Sequence, residues 1–549
     1  MGASLTHHRG ARQTARLRQV IVVAALCLAI YCFLLAPDDS LDSARSTNPE
    51  VYQARWRQQQ WQRGREAHHS LPPELLNDRF LTEDQCRASF PGLLDQVDDE
   101  VAKGPFKLER SPSSLGPLIA RIRDGQLYIL SAARKSDLSR DMLAHRSATL
   151  HQIANAVLTW PRPASSAPGA SPFAHIPDTV FAFNHHDDPL PGTFSYSRPA
   201  DPALATAADG APKRFFPAPH FSFYAWPLPF VGSLPRAARA IAGVEAALPF
   251  AAKIPRAVWR GTTWFNNPRA GRLRQNLVRA FGTRDAAAAA RRRWADVEAL
   301  DWTGGAERNA TNALRIEDFC RYKYVIHTEG VTYSGRFQFH NLCASVVLTP
   351  PVAWIQHLTH LLRPVFTYTL DPDAPDAASS PPPPPSFASS SSSSSGPSTR
   401  RSLLSSLFSA SPEPRRRAAK APGLPRRPID LGDREKPPPL SPYPASWVRH
   451  AWPTEYDASE ANIVFVAPDW SDLEAAVAWL EAHPRVAEGI ARRQRALFEG
   501  GGYFSPAAEM CYWRGLIRGW SEVVRVDEGA FGDLEGVTWE EFSLKEIHK

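Results

Sequence analysis

The hydrophobic and polar positions divide this chain into segments of different kinds. Residues 20–36, VIVVAALCLAIYCFLLA, form an uncharged apolar run with Arg9, Arg12, Arg16 and Arg18 before it and Asp38, Asp39 and Asp42 after it. This pattern predicts a single-pass transmembrane signal-anchor with residues 1–19 cytoplasmic and the remainder lumenal. A cleaved signal peptide is the competing reading, but the run lacks a clear small-residue cleavage site. Its shortness suits the thinner early secretory membranes. Residues 37–80 are polar and rich in Arg and Gln and read as a stem, with folded sequence expected from Leu81. Beyond it, short apolar runs at 127–130, 179–183, 257–259 and 324–326 predict strands, and the spacing over 145–160 and 486–498 predicts helices. Strands alternating with helices point to an α/β fold. Between 371 and 445 a proline run, a serine run and basic clusters replace this pattern, predicting a disordered insertion. A retained intron is the alternative, and dibasic pairs such as Arg400-Arg401 and Arg426-Arg427 are candidate trimming sites.

Three strand ends carry candidate chemistry. After Tyr324, Val325 and Ile326, the turn holding Gly330, Val331, Thr332, Tyr333, Ser334 and Gly335 offers N–H and hydroxyl donors, and Arg336 opens a predicted helix. Free N–H groups and the helix dipole favour an anion there, although structural α/β units use similar turns. Another strand enters Arg260-Gly261-Thr262-Thr263, with Arg272 following on a predicted helix. Glycine permits close approach to a phosphate and arginine offers a fork of donors; an arginine paired with a structural acid is the alternative. The strand ending at Asn184 presents His185, His186, Asp187 and Asp188, for which general base, metal ligand and turn cap all stay open. Asp371-Pro372-Asp373 matches a short acidic metal-binding pattern, but its place at the insertion's edge favours coincidence. Phe221, Phe223, Tyr224 and Trp226 are sugar platforms or, more simply, core.

Length and charge narrow the picture only a little. The 549 residues can bury at least two cores. The net charge of +7 comes with basic residues clustered near the N-terminus and in the insertion, which argues against a nucleic-acid partner. Outside the apolar run the cysteines are Cys86, Cys320, Cys343 and Cys511. An even number in an oxidising lumen permits two disulfides, and no Cys/His spacing suggests zinc. Asn309-Ala310-Thr311 is a glycosylation sequon.

The segments IPDTVFAFNHHDDP, PHFSFYAWP, KIPRAVWRGTT, CRYKYVIHTEGVTYSGRFQFHNLCASVVL, WIQHLTHLLRP, DWSDLEAAVAWL and CYWRGLIRGW occur in this order over 81–524. In this the chain resembles glycosyltransferase family 90, the capsule-associated-protein-like group that includes protein O-glucosyltransferases and fungal xylosyltransferases, and looks closest to the fungal members. The resemblance implies a GT-B-like architecture of two Rossmann-like lobes facing a cleft. Residues 81–245 would form the acceptor-side lobe, 246–370 and 446–505 the donor lobe, and 506–549 helices returning to the first lobe. It implies inverting transfer of xylose or glucose from a UDP-sugar to a hydroxyl of a glycan or protein, with no obligatory metal in the characterised animal relatives and no other cofactor required; a divalent metal stays open for this chain. Asp187 would be the base. Arg260, Gly261 and Thr262 would hold donor phosphate, Arg272 would add a contact, and Val331, Thr332, Tyr333, Ser334 and Arg336 would hold nucleotide and diphosphate. Cys320 would pair with Cys343, and Cys86 with Cys511. Thr332-Tyr333-Ser334 stands where relatives often carry Ser-Trp-Ser, and Glu329 lies at a position that varies among animal members. The C-terminal Glu546-Ile547-His548-Lys549 lacks an ER-retrieval signal, which favours the Golgi over the ER. A glycan hydrolase and a membrane-tethered carbohydrate-binding protein without catalysis are the competing functions.

Overall fold

A computed structural model describes residues 71–548 except 112, 114, 164–170, 172, 266–270, 305–308, 377–422, 430, 432–438 and 532–534. The predicted anchor, the cytoplasmic tail and most of the predicted stem lie outside the described residues. Among the described residues no helix is long and apolar enough to cross a membrane.

The first part of the chain supplies α1 (Pro73–Asn77), α2 (Glu83–Ser89), α3 (Asp95–Ala102) and α4 (Arg140–Leu158). Its strands are β1 (Phe106–Lys107), β2 (Leu118–Arg123), β3 (Gln126–Ser131), β4 (Thr179–Phe183), β5 (Thr193–Ser195), β6 (Arg198–Pro199) and β7 (Phe215–Pro217). The middle adds β8 (Ile254–Gly261), β9 (Ala295–Ala299), β10 (Tyr322–Ile326), β11 (Val346–Thr349), β12 (Trp354–Ile355), β13 (Pro364–Phe366) and β14 (Ile463–Phe465). Between them run α5 (Leu234–Ala247), α6 (Leu273–Phe281), α7 (Ala286–Arg291), α8 (Phe337–His340), α9 (Ser446–Ala451), α10 (Leu473–Ala482) and α11 (Pro484–Arg495). The chain closes with α12 (Pro506–Val523), β15 (Val524–Arg525), α13 (Glu528–Phe531), β16 (Val537–Thr538) and α14 (Trp539–His548).

Two six-stranded sheets organise these elements. The second, in the order β13-β14-β11-β10-β8-β9, is parallel throughout. Its central strands are buried on both faces, as the uniformly buried Val346–Thr349 and Ile463–Phe465 show, and this is why they read as continuous apolar runs. From β8 the chain moves outward to β9 on one side and then crosses to β10 on the other, so a topological switch point lies between the carboxyl ends of β8 and β10. Ligands of open α/β sheets bind at such a crevice. The first sheet, β16-β3-β2-β4-β5-β7, is mixed: β2 is antiparallel to both β3 and β4, whereas β4, β5 and β7 are parallel. The expectation of two Rossmann-like sheets is therefore corrected for the first. The tight Asp124-Gly125 turn, both residues at positive φ, folds β2 directly onto β3 and leaves no room for a crossover helix.

One strand pair links the first part of the chain to the middle, and the chain's last long helix returns to the first sheet. An antiparallel ribbon joins β6 to β12. Helix α12 packs on α3, α4 and β4. Cys86 is bonded to Cys511, while Cys320 and Cys343 close a shorter loop. Two boundaries shift from their sequence expectations. Ordered chain begins before Leu81: Leu71, Leu75 and Leu76 pack against the core, and the Leu71 N–H donates to Gly500 O. Within 371–445, residues 423–429 fold onto the second sheet because Leu424 and Ile429 are buried there and Arg426 pairs with Asp469. The Arg426-Arg427 pair is thus engaged, with the Arg427 N–H donating to Ser471 O.

Candidate active site

The loop after β4 is shaped by Asn184, which is fully buried at the strand's end. Its side-chain oxygen accepts from the His186 N–H at 3.2 Å, and its amide donates to Asp188 O at 2.6 Å and Ser195 Oγ at 3.3 Å. One side chain thus holds both ends of the segment that carries Asp187. The Asp187 side chain reaches solvent beside the 330–336 turn. Desolvation by the surrounding walls, followed by the neighbouring Asp188, raises its pKa, while His186, a hydrogen bond from Tyr333 and Arg274 pull it down. A carboxylate so placed is a stronger base than an ordinary aspartate.

The 330–336 turn arrives against this loop from the second sheet. Thr332 Oγ1 donates to Asp187 O at 2.7 Å, and the Tyr333 hydroxyl donates to the Asp187 carboxylate. The Tyr333 ring packs against Tyr196 and His220 of the first part of the chain, with centroids 6.0 and 5.5 Å away. Gly335 is required here, since a Cβ on it would stand 2.5 Å from the His220 ring. Val331 is half-buried, and Thr332 and Ser334 are buried. Arg336 caps the four-residue α8.

At the switch point two guanidinium groups converge. Arg336 Nη1 donates to Arg260 O. Arg274 Nε donates to Thr328 Oγ1 at 3.1 Å and Glu329 O at 2.9 Å, and its Nη1 donates to Thr262 O at 3.1 Å. Glycines admit both, because a Cβ would stand 3.1 Å from Arg336 Nη2 at Gly261 and 3.1 Å from Arg274 Nη2 at Gly330. Among the described residues, neither arginine has a carboxylate within ion-pair distance. Burial lowers the Arg336 pKa to about 10; burial and then the charge of Arg336 lower that of Arg274 to about 9. Two cations that repel each other, Arg274 buried and Arg336 half-buried, each bonded only to carbonyl or hydroxyl oxygens, form a receptor for a multiply charged anion.

Arg260 is differently employed. It pairs with Asp296 at 2.7 Å and lies 3.6 Å from Glu298, both on β9, so its charge is already met. Gly261 and Thr262 line the site through their neighbours: Gly261 beside Arg336, and Thr262 accepting from Trp302 Nε1 at 3.0 Å. Arg272 is exposed at the start of α6, and among the described residues nothing ties it to this group. Arg274, which sequence reasoning missed, takes the inward position. It lies with Leu273, Leu277 and Ala280 on the buried face of α6. An arginine where the helical period calls for an apolar residue was the signal available.

The remaining sequence candidates fall outside the site. Asp371 caps its own turn by accepting from the Asp373 N–H at 3.0 Å. Phe221 and Phe223 are core, whereas Tyr224 is exposed and stacks on His151 at 4.5 Å. Asn309 is exposed. Glu245 with Cys320 and Cys343 is the one metal-like grouping among the described residues, and both its sulfurs are in the disulfide.

Residues 172–372 match the model of glycosyl transferase family 90. A search of curated proteins found no match.

Proposed function

We propose that this chain, whose residues 172–372 belong to glycosyltransferase family 90, is an inverting transferase that moves xylose or glucose from a UDP-sugar to a hydroxyl of a glycan or protein. The observation that carries this reading is the contact between base and anion receptor: the turn leading into Arg336 is hydrogen-bonded through Thr332 and Tyr333 to Asp187. The diphosphate rests on Arg274 and Arg336 at the switch point. Asp187 takes the proton of the acceptor hydroxyl as its oxygen attacks the anomeric carbon from the face opposite the leaving group. The sugar–phosphate bond breaks, UDP departs with its new charge held by the two arginines, and configuration inverts. Preorganised donors at a leaving group act where charge develops and are worth about 2.7–4 kcal/mol each in comparable sites. The apolar run at 20–36 anchors the protein in the Golgi membrane with this site lumenal.

UDP release by the purified protein with a panel of UDP-sugars, with and without EDTA, tests the reading. Release from one donor, insensitive to EDTA and lost in Asp187→Asn, supports it. Absence of release and of UDP binding would reject it.

A further inference from the structure

Away from the Asp187 cleft, a cavity of about 400 Å³ opens where the β6–β12 ribbon meets the segment around α9. We infer that it is a second ligand site, for a saccharide unit carrying an acidic group. Arg198 contributes the charge. Its Nε donates to Gln96 Oε1 at 2.9 Å and its Nη1 reaches Pro199 O at 3.4 Å, but among the described residues no carboxylate lies within ion-pair distance of it. Glu100 and Asp99 act on Arg198 through space; Glu100 is engaged by Lys103 and Arg214, and Asp99 is exposed and outside the lining. Of the acids that flank the lining segments, Asp201 caps the Ala203 N–H, Glu455 accepts from the Tyr368 hydroxyl at 2.9 Å, and Asp457 is exposed outside the lining. The lining contains no carboxylate, while His450, Thr454 and Tyr456 add polar groups. A half-buried guanidinium with no carboxylate in ion-pair contact, set in a wall without acids, selects an anion.

The body that bears the anion is larger than an inorganic ion. The cavity falls in the range of about 300–1,000 Å³ used for small organic ligands. Apolar faces from Pro199, Pro364 and Trp452 alternate with the polar groups, which suits a ring with C–H faces and hydroxyl edges. That the ring is a saccharide rests on the glycosyltransferase reading; the charge selectivity does not. The chain entering this pocket at Ile355 is also bonded to the anion receptor. Glu329 accepts from the Ala353 and Trp354 N–H groups at the start of β12, while its backbone oxygen receives Arg274.

Calorimetric titration of the full-length protein with glucuronate, glucose, inorganic phosphate and UDP tests the assignment. Glucuronate should bind and glucose should not. Arg198→Gln should weaken glucuronate about tenfold or more, as expected for loss of a charged hydrogen bond, and leave UDP binding unchanged. His450→Ala, at an exposed position that carries little folding risk, should weaken glucuronate several-fold. Arg274→Ala should do the reverse, weakening UDP and sparing glucuronate. Phosphate binding as tightly as glucuronate would overturn the saccharide assignment, as would equal binding of glucose. Glucuronate binding indifferent to both Arg198→Gln and His450→Ala, or no glucuronate binding by a protein that binds UDP, would overturn the site itself. Glucuronate binding without UDP binding would instead reject the transferase reading and leave this one standing.

Discussion

Asp187 and Arg274 divide the chemistry between them, and the division can be measured. Replacing Asp187 by Asn keeps the Asn184-clamped loop and the bond from Thr332, which goes to the backbone oxygen. Donor binding should survive while turnover falls by about 10²–10⁴-fold, the usual worth of a general base. Steady-state kinetics with the donor varied would separate the two effects. Because the Asp187 pKa is raised and the base must be ionised, activity should fall as pH drops through a value above the ordinary aspartate range of about 3.9. A pH profile of kcat/KM whose acid limb lies at or below that value would contradict the role. Arg274→Ala should cost about 10²–10³-fold in turnover, as loss of one preorganised donor does elsewhere, and should weaken UDP. Arg272→Ala, two residues away and exposed, should change neither. The contrast in one assay isolates the buried guanidinium from general positive charge at the start of α6.

At the scale of elements, the 330–336 turn and the β12 start are held by contacts that leave little slack. Gly335→Ala would drive a methyl into the His220 ring, whose position is fixed by Ser222 and Gln338. Overpacking of this kind costs about 1–3 kcal/mol, and here it displaces the turn that touches Asp187, so turnover and melting temperature should fall together. Glu329 offers a test through pH. Burial raises its pKa to about 8 against the hydrogen bonds from Ala353 and Trp354 and the charge of Arg274. The folded state then holds a proton that the unfolded state releases between about pH 4.5 and 8, so this group lowers stability as pH rises through that window. Glu329→Gln should flatten the decline of melting temperature over the same range. An unchanged slope would show that Glu329 is ionised throughout.

Much of this scale was legible beforehand. The strands ending at Phe183 and Ile326 lie where continuous apolar runs put them, because buried strands need side chains that pack on both faces, while the strand expected over 257–259 extends to Ile254–Gly261. The mixed order of the first sheet was not legible, since alternation of strand and helix does not encode direction. Nor was the partnership of Arg260 with Asp296 and Glu298, which depends on β9 lying beside β8. Leu424 and Ile429 were hidden by their composition: two apolar residues in a basic, proline-rich stretch carry no periodicity, and only the second sheet gives them a place to go.

For the molecule as a whole, the chain's return to its beginning is the feature with the largest energetic consequence. Cys86 and Cys511 are 425 residues apart in sequence, and Cys320 and Cys343 only 23. If cross-links act mainly by restricting the unfolded chain, the two loops contribute about 6 and about 3 kcal/mol, growing with the logarithm of loop length. The long bridge also fastens α2 to α12, whose Tyr512, Trp513 and Trp520 fill the core beneath the first sheet. Tyr512 donates to Pro217 O at 2.6 Å, and Trp513 Nε1 donates to Gln152 Oε1 at 3.1 Å, so this helix orders both β7 and α4. Cys86→Ser/Cys511→Ser should therefore lower the melting temperature more than Cys320→Ser/Cys343→Ser. The short bridge joins the turn before β10 to the segment after α8 and so closes the loop that carries the 330–336 turn, and its loss should weaken UDP binding at temperatures where the protein is still folded. Differential scanning calorimetry and UDP titration of the two double variants would read both effects. The reverse order of stabilities would mean that native packing, not loop closure, sets the value of these bonds.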